Sequence, residues 1–307
     1  MTTNRGLVHE LRKNGVLFLM LLPAATLVIM LCYIPMTGII LAFKDYKYNL
    51  GIFGSPWAGF NNFRYFFISG TGLRVTQNTI MYNLLNLFTS QALAIMVAIV
   101  LCEMKNIWFR KLSQSFIFLP YFISWIIVGV FVLNIFGYES GVLNSVLKSL
   151  GFSPVDIYGM PSAWRYIIVF FNAWKWVGYI SVVYIAAITN ISPECFESAD
   201  LDGANVFQKI FYITIPSITP TISIMFLLNI GKLLRGDFQM FYQIVGDNGQ
   251  LFNATDVIDT FVFRSLINSG DMAMSAAATF YQSVLCFAII LLANGAVRKI
   301  SPENSLF

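Results

Sequence analysis

Four carboxylates fall within nine residues, Glu194, Glu197, Asp200 and Asp202, set against Lys209. Carboxylates this dense could do acid–base or metal chemistry, but in a loop they are usually just solvated. Here the single histidine is His9, far away in the chain. The four cysteines, Cys32, Cys102, Cys195 and Cys286, are irregularly spaced, form no CxxC, lie in or beside apolar stretches and read as buried free thiols. No metal site is expected. The carboxylates therefore belong to a shape. Pro193 and Glu194 suit a helix start with Ser192 as its cap. Glu197 to Leu201 reads as a short helix, and Asp202-Gly203 as its break, because glycine accepts a left-handed backbone. A second amphipathic piece runs from Ala204 to Tyr212, with Val206, Phe207 and Ile210 apolar, and Pro216 falls in the first turn of the next apolar run. The product is an acidic helix–turn–helix knob. An ordinary solvated connector has the same composition.

The other candidate residues are polar groups inside apolar runs, where an ionisable side chain is by default functional. Lys175 stands in Asn172-Ala173-Trp174-Lys175-Trp176. Amides suit sugar hydroxyls and aromatic rings suit their CH faces, which makes Asn172, Trp174 and Trp176 candidate lining. Trp174 and Trp176 are two apart, so at most one faces a given pathway. Lys175 would meet an anionic glycan, or else pair with a carboxylate or with carbonyl ends in the bundle. Asn83, Asn86 and Gln91, then Asn229, and Tyr281 with Gln282, are further candidates for lining or for gluing helices. Lys232 and Arg235 would extend a cationic track from Lys175.

What must position these residues is lipid-embedded helix. The chain of 307 residues is 57% hydrophobic and 11% charged, well below the ~25% of soluble domains. That excludes an ordinary soluble enzyme and a disordered chain. The net charge of +4 is too weak to argue for nucleic acid. Long stretches between charges give six spans near 16–43, 77–101, 113–136, 164–190, 214–234 and 273–297. Lipid leaves a bare backbone unsatisfied, and period-2 alternation is absent, so each span is expected to be helical. The first run is longer than a secretory apolar core and lacks an A-x-A site, and so reads as a retained anchor. Arg12/Lys13, Arg110/Lys111 and Arg298/Lys299 hug helix ends and favour both termini inside. Loops 44–75, 137–163 and 235–272 would form an external cap. Trp57, Phe60, Phe63, Tyr65 and Phe66 suit the lipid–water boundary.

The full spacing around the knob, Glu197-Ser198-Ala199, then Gly203-Ala204, then Ile213-Thr214-Ile215-Pro216, resembles the EAA loop of permease subunits in bacterial binding-protein-dependent ABC importers. Ser198 stands for the motif's Ala and Ile215 for its Leu. Tyr33-Ile34-Pro35-Met36, Ala42-Phe43-Lys44-Asp45-Tyr46, Gly51 to Trp57, Leu119 to Ser124, Asn229-Ile230-Gly231 and Ile258 to Arg264 extend the resemblance to the carbohydrate-uptake class. Within it they are most similar to the complex-oligosaccharide subfamily of polygalacturonan- and alginate-type importers.

The resemblance implies an all-α integral membrane protein of six transmembrane helices with the type I importer permease fold. It implies one permease domain over 1–307: an anchor helix and external loop at 1–75, a core bundle at 76–297 with the coupling loop 191–216, and a cytoplasmic tail at 298–307. It assigns the cytoplasmic coupling role to Glu194, Glu197, Ser198, Ala199, Asp202, Gly203, Ala204, Phe207, Ile213 and Pro216. It implies a second homologous permease, two ATPase subunits that carry ATP and magnesium, an extracytoplasmic solute-binding lipoprotein, an oligosaccharide and the lipid of the bacterial cell membrane as partners. No G-x-x-x-x-G-K-[ST] occurs, so nucleotide chemistry is left to another chain. The same machine carrying peptides or amino acids is the alternative. A membrane enzyme is remote: G-x-S-x-G and H-E-x-x-H are absent, and its only carboxylate pairs would be Asp256/Asp259 and Asp200/Asp202.

Overall fold

The computed structural model describes residues 13–300; Arg5, His9, Arg12 and the segment 301–307 lie outside them. The regular elements among the described residues are all helical. The first apolar run is α1 (Gly15–Val28), continued by a π turn (Ile29–Tyr33) and a 3-10 segment (Ile34–Phe43). There follow α2 (Asn61–Ile68), α3 (Thr71–Glu103), α4 (Ile107–Phe118), α5 (Trp125–Phe136), α6 (Val142–Ser149) and α7 (Pro161–Thr189). The second half holds α8 (Pro193–Leu201), α9 (Val206–Lys209), α10 (Ile215–Ile230), α11 (Phe238–Val245), α12 (Ile258–Ile267) and α13 (Met272–Ile300).

Five helical runs are long and apolar enough to cross a bilayer: Gly15–Phe43, Thr71–Glu103, Pro161–Thr189, Val206–Ile230 and Met272–Gly295. The sixth expected span, 113–136, is not straight. It is a pair, Ile107–Phe122 and Trp125–Phe136, bent by 95°. The sequence contains the cause. Pro120 brings no N–H to the ladder, residues Leu119–Phe122 tighten into a 3-10 turn, and Ser124 starts α5 by accepting the Ile127 N–H. The fifth span also differs. Helix begins at Val206 and ends at Ile230, and reaches Pro216 without a break. The Ile215 N–H bonds five residues back to Ile210, a widened turn. That turn contains Tyr212, whose carbonyl the Pro216 ring would otherwise crowd. The same device precedes Pro35, where the Ile34 N–H reaches Ile29.

The bundle is organised around α3 and α7, its most extensively packed pair. Residues buried on α7 repeat as Trp164, Ile168, Phe171, Lys175 and Gly178, one stripe of a helix. One cluster joins Tyr82, Trp164 and Phe171 to Trp125 of α5 and Phe241 of α11. A second packs Ala94, Ala98, Tyr184 and Ile188 against Ile218 of α10. A third gathers Phe66, Leu234, Ile258 and Ala278. Phe66 is thus core, not a boundary ring, while Trp57, Phe60 and Tyr65 are exposed. Phe63 packs between Phe43 and Phe280, tilted against the first ring and edge-on to the second. None of residues 15–33 is buried, as expected of a helix apolar all round and solvated by lipid. The cysteines are free but not buried: Cys32 and Cys195 are exposed, Cys102 and Cys286 half-buried.

Two glycines let backbones touch. A Cβ on Gly178 would run into the Ile117 carbonyl of α4, and one on Gly129 into the Gln243 carbonyl of α11. Backbone cannot yield as a side-chain tip can. Gly129→Ala is therefore expected to destabilise the fold by about 1–3 kcal/mol, measured as a lowered unfolding temperature of the purified protein.

Candidate functional site

The knob forms as a closed unit between α7 and α10, the third and fourth of the five long helical runs. Gly203 has φ +75°, and its turn ends α8 with the Ala204 N–H on the Ala199 carbonyl (2.9 Å). Asn205 then opens α9 through a reciprocal box. Its Oδ1 accepts the Gln208 N–H (2.9 Å), and Gln208 Oε1 accepts the Asn205 N–H (2.8 Å). Lys209 pairs with Asp200 across the turn and ties the two helices together. Ser192 occupies the cap position of α8 without a side-chain bond, and Ser198 Oγ donates to Glu194 O instead. Between the helices lies a groove of about 310 Å³ lined by Ala199, Asp202, Gly203, Ala204, Lys209, Tyr212 and Ile213 among others. Glu194, Glu197 and Pro216 are exposed beside it. So are Leu201, Phe207 and Tyr212, which are 90%, 72% and 79% exposed. Large exposed apolar side chains around a polar groove form a surface suited to a protein partner.

A second feature is a cavity of about 590 Å³ between α3, α7, α10 and the turn that follows α10. Helical period decides its walls. On α3 the lining residues are Asn83, Asn86, Leu87, Ser90 and Gln91; on α7, Asn172, Trp176, Tyr179, Ile180 and Val183; on α10, Met225, Leu228 and Asn229. Lys232, Leu233, Arg235, Gly236 and Asp237 close one end. The amides both line and fasten. Asn83 Nδ2 donates to the Leu233 and Arg235 carbonyls (2.8 and 3.2 Å), and Ser90 Oγ donates to Asn172 Oδ1 (3.3 Å). Tyr184 Oη donates to Gln91 Oε1 at 2.5 Å. Asn229 Nδ2 returns to its own helix at Met225 O. Trp176, Tyr179 and Tyr121 form an aromatic wall, the two tyrosines stacked at 4.5 Å.

Three expected lining residues lie elsewhere. Trp174 packs edge-on against Phe171 in the core cluster, on the other side of α7 from Trp176. Tyr281 sits among Phe66 and Phe67, within 3.3 Å of Thr76 Oγ1. Lys175 is buried, and its Nζ donates to the carbonyls of Pro120, Tyr121 and Ile123 and lies 5.0 Å from the Trp125 ring centroid. These carbonyls line the bend between α4 and α5, where only Pro120 O also accepts a backbone N–H, from Ile123, so Lys175 fastens the bend. The cationic track shrinks to Lys232 and Arg235. Ser90, Tyr179 and Asp237 are cavity residues not anticipated; Ser90 and Tyr179 each lie seven residues from an asparagine that was, on the same helical stripe.

Of the two carboxylate pairs that an enzyme would use, Asp256/Asp259 is committed to structure. Asp256 holds Arg264 (2.6 and 3.2 Å) and accepts from Thr260. Asp259 Oδ2 accepts from the Gly236 N–H and Gln282 Nε2. Burial pushes the Asp259 carboxyl above the usual carboxylate range, against the pull of those donors and of Arg235.

The family model described as "Binding-protein-dependent transport system inner membrane component" matches residues 90–302. Protein LplB of Bacillus subtilis (strain 168) is 30% identical over 99% of this chain and 96% of its own length. The polygalacturonan/rhamnogalacturonan transport system permease protein YteP of the same strain is 28% identical over 98% of this chain and 93% of its own. Among solved structures, a bacterial ABC transporter involved in the import of the acidic polysaccharide alginate superposes with a TM-score of 0.86 at 32% identity. It covers 96% of this chain and 99% of that one. A bacterial alginate ABC transporter in complex with an alginate pentasaccharide-bound periplasmic protein gives 0.85 at 31%, over 96% and 98%.

Proposed function

The chain belongs to the family of binding-protein-dependent transport system inner membrane components, a multi-pass transport subunit and not a catalyst, and from that premise we propose that it passes oligosaccharides inward through the α3/α7/α10 cavity. One observation supports this most. The knob joins the C-terminal end of α7 to the start of the helix that becomes α10, and those two helices wall the cavity. A push on the knob moves both walls together. The helix from Val206 to Ile230 is unbroken, so displacement at its base reaches Met225, Leu228 and Asn229 as a rigid-body motion.

In this reading the knob and the chain's described N-terminal end face the cytoplasm, and Glu197, Gly203 and the exposed Phe207 dock on an ATPase subunit. A second permease subunit, two ATPase subunits and an extracytoplasmic binding lipoprotein complete the importer, and ATP and magnesium stay on the ATPase subunits. The relatives named for polygalacturonan and alginate support a saccharide cargo, as do the amide- and aromatic-lined walls.

The purified chain alone is expected to hydrolyse no ATP, and the assembled importer to hydrolyse it with saccharide uptake. Competition of uptake by oligosaccharides and by peptides decides the cargo. Block by peptides alone, or labelling of residues 194–212 from outside intact cells, would overturn the reading.

A further inference from the structure

The stretch that opens α4, Lys105-Asn106-Ile107-Trp108-Phe109-Arg110-Lys111, holds three cations and three large apolar residues. Packing fixes its depth. Leu101, Cys102 and Met104, at the end of α3, share a cluster with Ile210 and Ile215 beside the knob. The stretch therefore lies just past the end of a span, at the membrane face that carries the knob. Asn106 holds the start of the helix, its Oδ1 accepting the Trp108 and Phe109 N–H groups (3.0 and 3.2 Å).

The apolar side chains open outward on more than one side. Ile107, Trp108 and Phe109 are 64%, 85% and 58% exposed. Consecutive helical residues point about 100° apart, so these three sweep about 200° of the helix surface. A protein partner covers one side of such a peg, whereas acyl chains cover all of it. Leu112 and Phe116 continue the exposed apolar surface along the helix. The cations lack carboxylates. Among the described residues none of Lys105, Arg110 and Lys111 forms an ion pair, and Glu103, the nearest acid in sequence, is exposed and equally unpaired. Arg110 is half-buried, and among the described residues its guanidinium reaches only Cys102 Sγ, at 3.9 Å. Sulfur is a weak acceptor for a group with five donors. A half-buried cation so placed is short of an anion.

We propose that the start of α4 binds an anionic phospholipid: Arg110, with Lys105 and Lys111, takes the headgroup phosphate, and Ile107, Trp108 and Phe109 lie among the acyl chains. Indole suits the boundary between the two, with an apolar face and one N–H donor. The lysine stems lie along apolar surface while their ammonium groups stay at the headgroups. A zwitterionic headgroup carries an ammonium of its own, which three cations repel, so the anionic lipid is favoured. Each cation near an anionic surface is worth about fivefold in that preference. The assignment is independent of the cargo and needs only that the chain crosses a membrane.

The test uses the complete importer in vesicles of phosphatidylcholine and phosphatidylglycerol. In one set the phosphatidylglycerol carries brominated acyl chains; in the other an equal amount of the phosphatidylcholine does. Subtracting the emission of a Trp108→Phe importer isolates Trp108, and bromine quenches it on contact. Quenching is expected in both sets, with an apparent enrichment of phosphatidylglycerol of about fivefold or more. The Lys105→Gln/Lys111→Gln pair and Arg110→Gln are each expected to lose most of that enrichment while quenching by phosphatidylcholine persists. Arg110→Lys is expected to keep it, and high salt to abolish it. Lys148→Gln, an exposed cation lost from α6, controls for general electrostatics. Absence of quenching by either lipid would show that protein covers Trp108 and overturns the proposal. Equal quenching by both lipids in the wild type overturns it too, since contact is then apolar alone. Loss of enrichment on adding inorganic phosphate at constant ionic strength would assign the cations to a free anion, with the same consequence. No arm measures uptake, so each of these failures leaves the saccharide reading standing.

Discussion

Lys175→Met is expected to cost the fold on the order of 3 kcal/mol and to deplete the permease from the membrane. The ammonium donates to the carbonyls of Pro120, Tyr121 and Ile123 where the chain turns by 95° between α4 and α5; the Pro120 carbonyl also accepts the Ile123 N–H, so Tyr121 and Ile123 are the ones left without another donor. Methionine fills the same volume but donates nothing. Orphaned buried carbonyls each cost about 1–3 kcal/mol, and lipid cannot substitute for the missing donor. The neighbouring Trp125→Phe removes one hydrogen bond, from Nε1 to Asp237, and is expected to cost about 1 kcal/mol. Thermal unfolding of the purified protein separates the two. A Lys175→Met protein of normal abundance and unfolding temperature that no longer supports uptake would move Lys175 from the scaffold into the translocation pathway.

That lysine shows where sequence reading stops. An isolated charge in an apolar run announces that it has a role, and carbonyl ends were among the partners expected for it. The carbonyls it holds are more than fifty residues away, and nothing local indicates which role applies. The bend itself left a trace, Pro120 followed by Ser124 inside an apolar run, but length and hydropathy alone register one straight span. The long helices were legible because lipid imposes length and lack of charge on each. Phe66 was not, because an aromatic ring in a loop suits the interface and the core equally until its neighbours are known. The cavity was legible in part: polar residues stand out against apolar helix, so Asn83, Asn86, Asn172, Asn229 and Lys232 were named. Tyr281 was drawn in on the same logic, yet its ring and hydroxyl serve packing against α2 and α3. Asp237 was missed because it lies beyond the helix end, in a turn whose path only tertiary contacts fix.

The knob permits a sharper test, because the strain there can be separated from packing. Gly203 has φ +75°, and a Cβ added to it would meet no atom within 4 Å. Substitution therefore acts through backbone conformation alone. Asparagine tolerates the left-handed region, whereas a β-branched residue is a severe outlier there. Gly203→Val is expected to unwind the turn that places the Ala204 N–H on Ala199 and lets Lys209 reach Asp200. None of the three main apolar clusters includes an α8 residue, so the spans should keep their unfolding temperature. If the knob receives the ATPase stroke, uptake by the assembled importer falls at least tenfold in Gly203→Val, a loss of about 1.4 kcal/mol or more in coupling. Gly203→Asn is then expected to retain most uptake. Measuring uptake and ATP hydrolysis together distinguishes outcomes: hydrolysis that continues without uptake marks an uncoupled importer. Equal uptake in wild type and Gly203→Val would remove the knob from the mechanism, since no other property of the chain would have been altered.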